Sequence, residues 1–338
     1  MNKYSGIDLH ANNCVVVVSD EEDRICCEKR VPNDLTRIIG LLEPFRGDLV
    51  SVAVESTFNW YWLVDGLRGA GFEVKLINTA AIAQYEGLKY SGDEHDARHL
   101  AHLLRLNLLR FGYTFAPEWR AVRDLARKRT QLVHTRTTHV LALETIYARQ
   151  TGGHLSGNVA KLLKEDDVAR WAWPDDVTLA AQMNVLAIQA MERGIERLER
   201  RLHERVKLAP EYAVLKTVPG IGEILSTVIM LETGPIERFS SAGNYASYAR
   251  CVGSGRFSNA KKKGEGNRKN GNAYLAWAFV EAAHYALRYS DAAKRFYERK
   301  RAHSNTALAT KALAHKLARA CFHMLKGQMT FDEKRCFA

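Results

Sequence analysis

The 338-residue sequence predicts an α/β unit at its N-terminus and two helical units after it. Short β-branched runs parted by polar turns crowd the first 110 residues. From Pro117 to about Leu208 the composition becomes helical and charged, and beyond Tyr212 paired helical patterns surround a glycine- and lysine-rich stretch. The boundaries fall at 1–112, 113–208 and 209–330.

In the first unit, "KYSGIDLH" and "NCVVVVSDEEDRICCEKRV" predict three strands in a meander. "DLTRIIGLLEPF" has a helical pattern, and "LVSVAVES" is a buried strand. "NWYWLVDGLRGAG" is a helix ending on glycines, "EVKLIN" a strand, and "YSGDEHDARHLAHLL" opens a longer helix. Three antiparallel strands followed by alternating helix and parallel strand give the order of the RNase H-like fold. In the second unit, proline opens "PEWRAVRDLARKRTQLVHTRTTHVLALETIYARQ", a helix with a basic face of Arg120, Arg123, Arg127, Lys128, Arg129 and Arg136. Ile188, Met191, Ile195, Leu198 and Leu202 then form a short heptad seam, which an antiparallel helical pair or an intermolecular coiled coil would satisfy equally. Between these helices, "TGGHLSGNVAKLLKEDDVARWAWPDD" reads as an irregular connection. In the third unit "VPGIG" joins two helices, "AKKKGEGNRKNGN" reads as a mobile loop, and long helices run from Ala273 to about Lys326.

A formal net charge of +11 beside 46% hydrophobic residues describes a globular chain with a polyanionic partner, nucleic acid being the commonest; solubility alone would also account for the charge. Six cysteines with no Cys-x-x-Cys pair read as reduced thiols of a cytosolic protein. The start is not a signal peptide, and no apolar run approaches the roughly 18 residues a membrane span needs, so the expectation is a soluble, cytoplasmic protein with no membrane partner.

Two acids stand where strands should be buried. Alternation puts Asp8 on the face opposite Ile7, and Glu55 finishes the apolar strand "SVAVES". A bare buried carboxylate costs several kcal/mol unless a cation or donors compensate it, although an Asp capping a strand-end turn would read alike. Asp93 and Asp96 share a face of the following helix with Ala97 and Leu100, which turns them toward the sheet; carboxylates near a helix N-terminus are also common as caps. Four acids converging on one sheet end call for divalent cations. Mg²⁺ suits such hard oxygen ligands, and two ions about 4 Å apart would serve phosphoryl transfer. His95, His99 and His102 on the same helix read as a mixed polar face rather than a metal site.

Contacts to nucleic acid are expected at three places. The glycines Gly220 and Gly222 of "VPGIG" would let backbone N–H groups approach a phosphate, as in a helix-hairpin-helix, although an ordinary helical turn has the same pattern. The basic helix offers Arg120, Arg123, Arg127 and Lys128. The stretch 250–272 carries seven basic residues, among them Arg256, Lys261, Lys262, Lys263, Arg268 and Lys269, against the single acid Glu265. Ser258 lies just before the lysines, where clustered cations suit a nucleophile acting on phosphodiesters; Ser254 competes for the role, and a solvated loop serine would look the same.

Together "GIDLH", "VEST" with "NWYWLVDGL", "SGDEHDARHLAHLL", "VPGIG", "YARCVGSGRFSNAKKKGEGNRKNGN" and "YLAWAFVEAAHYA" closely resemble the DEDD-type transposases of bacterial insertion sequences, relatives of the Piv DNA invertases and described as bridge-RNA-guided recombinases. The resemblance covers nearly the whole chain. It implies a RuvC-like catalytic domain whose tetrad falls on Asp8, Glu55, Asp93 and Asp96 and binds Mg²⁺, and a C-terminal transposase domain whose catalytic serine falls on Ser258. It further implies donor and target DNA and a bridge-type guide RNA as partners, and a dimer of dimers in which one subunit's serine completes another's metal site. A bacterial, nucleoid-associated protein of the cytoplasm follows. Phe58 stands where many members have glycine, and "RCVG" replaces their Gly-Leu-x-Pro; both variants match a subgroup with "RCV" and "KKKGEGN". A Mg²⁺-dependent nuclease or junction resolvase using water is the competing enzyme, and a non-catalytic nucleic-acid-binding protein the competing class.

Overall fold

The computed structural model describes residues 1–78, 92–253, 255–258, 261–265 and 270–338; the side chains of Arg256, Phe257, Ser258, Lys262 and Glu265 lie outside that description. The chain forms two compact units, Met1–Thr114 and Phe115–Ala338.

The first unit is a mixed sheet with helices on both faces. Its strands are β1 (Lys3–Leu9), β2 (Asn13–Asp20), β3 (Ile25–Pro32), β4 (Leu49–Glu55) and β5 (Val74–Ile77), laid side by side in the order β3-β2-β1-β4-β5. The meander β1-β2-β3 is antiparallel, while β1-β4 and β4-β5 run parallel. Helices α1 (Leu35–Leu42) and α2 (Tyr61–Gly69) cover one face over a core of Ile7, Leu9, Val16, Val18, Val52 and Val54. Helix α3 (Asp93–Arg105) covers the other, packing Ala97 and Ala101 against Val15 and Val17 and Leu100 against Ala53 and Ile77. Gly6 makes that second layer possible, because a Cβ there would lie 2.1 Å from the Ala97 carbonyl oxygen and 2.7 Å from the Ala101 nitrogen. The helix backbone therefore rests directly on β1.

The second unit is mostly helical. Its helices are α4 (Pro117–Thr151), α5 (Gly157–Ala160), α6 (Glu165–Ala169), α7 (Asp175–Val206), α8 (Pro210–Leu215), α9 (Glu223–Thr233), α10 (Ala242–Tyr248), α11 (Ala273–Tyr289), α12 (Asp291–Ala302), α13 (Thr306–Gly327) and α14 (Glu333–Phe337). Helices α4 and α7 form an antiparallel hairpin within the chain: Arg129 donates to Glu199, Arg136 to Glu192, and His139 lies against Asn184, so numbers rise along one helix as they fall along the other. Ile188, Ile195 and Leu202 of the heptad seam are buried in this unit. Thus the antiparallel pair, of the two arrangements the seam allowed, is the one present in the single chain. The connection between the two helices is less irregular than expected, since it contains α5 and α6 around Ala160 and Val168, both buried. The remaining helices surround a core with Tyr245, Phe279 and Phe322 at its centre.

The stretch expected as an aperiodic loop also differs from expectation. Its described residues contain an antiparallel ribbon of β6 (Gly255–Ser258) and β7 (Lys261–Glu265), with a register shift between Arg256 and Phe257. Lysine density hid a strand whose backbone pairing does not depend on apolar alternation. Among the described residues, no helix is long and apolar enough to cross a membrane, and the cysteines are free thiols.

Candidate active site

Strand phase sets the first two acids. Ile7 and Leu9 point into the α1/α2 core, so Gly6 and Asp8 point toward α3. On β4, Val52 and Val54 join that same core, so Ala53 and Glu55 face α3 as well. The register Ile7↔Val54 brings Asp8 beside Glu55 at the C-terminal edge of two parallel strands. Helix α3 starts above this edge. Its N-cap is Gly92, so neither Asp93 nor Asp96 occupies the capping position; both are half-buried in the first turns, while Glu94 and His95 between them are exposed.

The electrostatics show that the other three carboxylates act on Asp8. Asp8 is 4% exposed. Burial pushes its carboxyl up to about 6, the His10 ring opposes the rise, and the charges of Glu55, Asp93 and Asp96 add to it. Basic side chains of the same unit lie nearby. His10 Nε2 lies 3.1 Å from Asp8 Oδ2 and 3.2 Å from Asp93 Oδ2. Arg30 Nη2 donates to Asp93 Oδ2 at 2.7 Å and to Glu94 Oε1 at 3.0 Å, which holds the Asp93 carboxyl below the usual carboxylate range. Neither His10 nor Arg30 was singled out from the sequence. Both were within reach of it: His10 is two residues beyond Asp8, and the registers Asp8↔Val15 and Val15↔Arg30 place Arg30 in the same cross-strand row.

Ligand atoms of Asp8, His10 and Asp93 lie within 4.8 Å of one another, close enough to share one metal ion. A carboxyl raised first by burial and then by three neighbouring acids is one a divalent cation relieves, and the residues present fit such an ion. The three histidines of α3 do not join this set. His102 Nδ1 lies 2.9 Å from Asp23 Oδ2, and Arg105 binds the same carboxylate, fixing the far end of α3 to the β2–β3 turn.

The basic residues of α4 mostly serve the fold of their own unit. Arg120 and Arg123 are 2% and 8% exposed, and the Arg123 guanidinium stacks 4.1 Å above the Phe115 ring. Arg127 binds Glu232, itself 1% exposed, through Nε at 2.6 Å and Nη2 at 2.8 Å, and its pKa is raised by that pairing against the cost of burial. Asn272 completes the set by donating to Glu232 at 2.7 Å. Arg129 and Arg136 hold α7. Only Lys128, bonded to Gln131 at 3.1 Å, is an exposed cation of this face. The continuous basic face is therefore corrected to one exposed lysine, because acids far along the sequence fold back onto the arginines.

Gly220 and Gly222 separate in role. Gly220 has φ +92, and a Cβ there would meet the Ala286 nitrogen at 2.5 Å and the Ala282 carbonyl oxygen at 2.7 Å, so it seats the turn against α11. Gly222 caps α9 with open space around it. Lys261 and Lys263 are exposed on β7. Arg256, Lys262 and Ser258 belong to the ribbon by backbone only, and Ser254, Arg268 and Lys269 lie outside the described residues.

Residues 5–147 match the family model described as a DEDD transposase of IS110, and residues 212–298 match that described as a transposase of the IS116/IS110/IS902 family. A "Probable family 20 transposase" of Pseudomonas aeruginosa is 22% identical over 338 residues, spanning 96% of this chain and 97% of the relative. An "Insertion element IS110 uncharacterized 43.6 kDa protein" of Streptomyces coelicolor is 28% identical over 162 residues, or 48% of this chain and 39% of that protein.

Proposed function

We propose that this chain, whose residues 5–147 and 212–298 match IS110-family transposase models, is a DNA-cleaving and rejoining transposase that exchanges strands by the following mechanism. Asp8, Glu55, Asp93 and Asp96 form the metal-binding tetrad of an RNase H-like, RuvC-like domain, and Ser258 is the nucleophile of the C-terminal domain. The observation that carries this reading is Asp8, a buried carboxyl pushed up to about 6 with three acids bearing on it. The strand order β3-β2-β1-β4-β5 supports the fold assignment.

Mg²⁺ held by these acids, as two ions, would stabilise the charge that builds on an attacked phosphodiester. The Ser258 hydroxyl forms the new bond to phosphorus, the bond to one sugar oxygen breaks, and that oxygen leaves as a strand hydroxyl carrying the serine proton. Attack by the exchanged strand's hydroxyl on the phosphoserine reverses the step and frees Ser258. A structured bridge RNA pairs with donor and target DNA, so that Lys128, Lys261, Lys263 and the neighbouring cations need only hold backbones. Three functional parts, 1–112, 113–208 and 209–330, and a dimer of dimers joined through the helical hairpin complete the proposal.

The test is to trap the protein on DNA. A covalent adduct present in the wild type and lost in Ser258→Ala is expected; an adduct that survives Ser258→Ala overturns the serine assignment, and Mg²⁺-dependent cutting with no adduct points to water as nucleophile. Co-purification of a structured RNA encoded beside the gene checks the guide, and its absence would leave recombination to protein alone.

A further inference from the structure

Within the second unit, α12, α13 and the segment 329–336 line a cleft of about 620 Å³, well within the range of small-ligand sites. Phe296, Met324, Met329 and Phe331 give it an apolar part, called the floor, and Lys300, Lys316, Arg319 and Arg335 a cationic part, called the rim. One acid, Asp332, lines it, and that carboxylate accepts the Arg335 backbone N–H at 3.0 Å as the cap of α14. Among the described residues, none of the four rim cations is ion-paired. Two of them crowd one ring: the ammonium groups of Lys300 and Lys316 sit 5.8 and 5.3 Å from the centre of Phe296. Cation–π attraction holds each amine at that ring, and cations without an ion-pair partner raise the positive potential that an anion meets.

We propose that this cavity binds a single unstacked nucleotide of a nucleic-acid strand, its base on the Met329 and Phe331 side and its phosphate on the rim. A phosphate alone would use the rim and leave the apolar floor wet. A duplex would present phosphates and keep its bases stacked, so it too would leave the floor unused. A thioether and aromatic floor beside clustered cations is the composition that recognises an exposed base together with its phosphate. This inference rests on the DNA-handling activity of the chain, and on neither the serine nor the guide RNA.

Short single strands of DNA and of RNA, each with one 5-iodouracil, are irradiated with the full chain, and the cross-linked peptides are mapped. Cross-links within 329–336 are expected, and the strand type that gives them identifies the natural source; their absence with both strands overturns the proposal. Fluorescence anisotropy supplies the second measure. Arg319→Ala with Arg335→Ala should weaken single-strand binding about tenfold and lower the salt slope by about 1.4. Met329→Ala with Phe331→Ala should weaken it about fivefold with the salt slope unchanged. If the floor pair binds like the wild type, or if inorganic phosphate displaces the strand as well as adenosine monophosphate does, the site is only a charged patch. An Asp93→Ala chain should cross-link normally, so failure of the metal-site reading and failure of this one give different results.

Discussion

The two charged regions of this protein fold in opposite senses. On the α3 face of the sheet, four acids from β1, β4 and α3 are brought together although like charges repel. Along α4, arginines that looked like a solvent-facing stripe are turned inward and matched with acids of their own unit, Glu232, Glu199 and Glu192. A charge paired within its own unit is accounted for by the fold, whereas acids gathered around one buried carboxyl, even with His10 and Arg30 beside them, form an arrangement that a cation would suit. Charge count alone would have ranked the two regions the other way.

Breaking each side of that contrast gives effects of very different size. Asp93→Ala or Asp96→Ala should reduce strand exchange by about a thousandfold or more while RNA and DNA binding persist, because only the transition-state charge loses its support. Recombination at the normal rate in either variant would return the pair to a structural role. Glu232→Ala should destabilise the protein by about 3 kcal/mol, since Arg127 and Asn272 would be left without their shared partner; chemical denaturation measures it. Gly6→Ala should cost about 2 kcal/mol, as α3 must lift from β1, and it should also lower strand exchange by moving Asp93 and Asp96.

Asp8→Asn should do the reverse in metal-free protein, raising stability by about 1–3 kcal/mol at pH 7. The sign follows from the proton. A carboxyl that titrates near 6 when folded, against a reference value of 3.8, binds its proton more tightly in the folded state. Wild-type stability therefore falls as pH rises through that window, and the advantage of Asn vanishes below the lower value. Thermal melts at several pH values check this. Lys128→Ala should have the smallest effect, a uniform weakening of nucleic-acid binding with the salt slope reduced by about 1.

How far the sequence could be read follows from the same contrast. Asp8 and Glu55 were visible because strand alternation is local, and a two-residue period fixes which face a side chain takes. Asp93 and Asp96 were visible because an i, i+3 pair shares a helix face. Arg30 was missed because its importance comes from the cross-strand row through Val15, which needs the register, and His10 because it lies just past the end of β1, where strand alternation no longer fixes a direction. The burial of Arg127 was out of reach, since its partner Glu232 stands 105 positions along the chain. The ribbon β6–β7 was hidden by lysines, which carry no strand signal even where the backbone pairs.

The α4–α7 hairpin has a mechanical meaning. The 35 residues of α4 make, at 1.5 Å each, a rod of about 50 Å, and α7 returns beside it for nearly the same distance. That length equals the rise of about 15 base pairs at 3.4 Å per step. A double rod cross-tied by Arg129–Glu199 and Arg136–Glu192 resists bending, so the distance it spans is set by residue count. Adding seven residues to each arm would move the tip outward by about 10 Å without disturbing the seam.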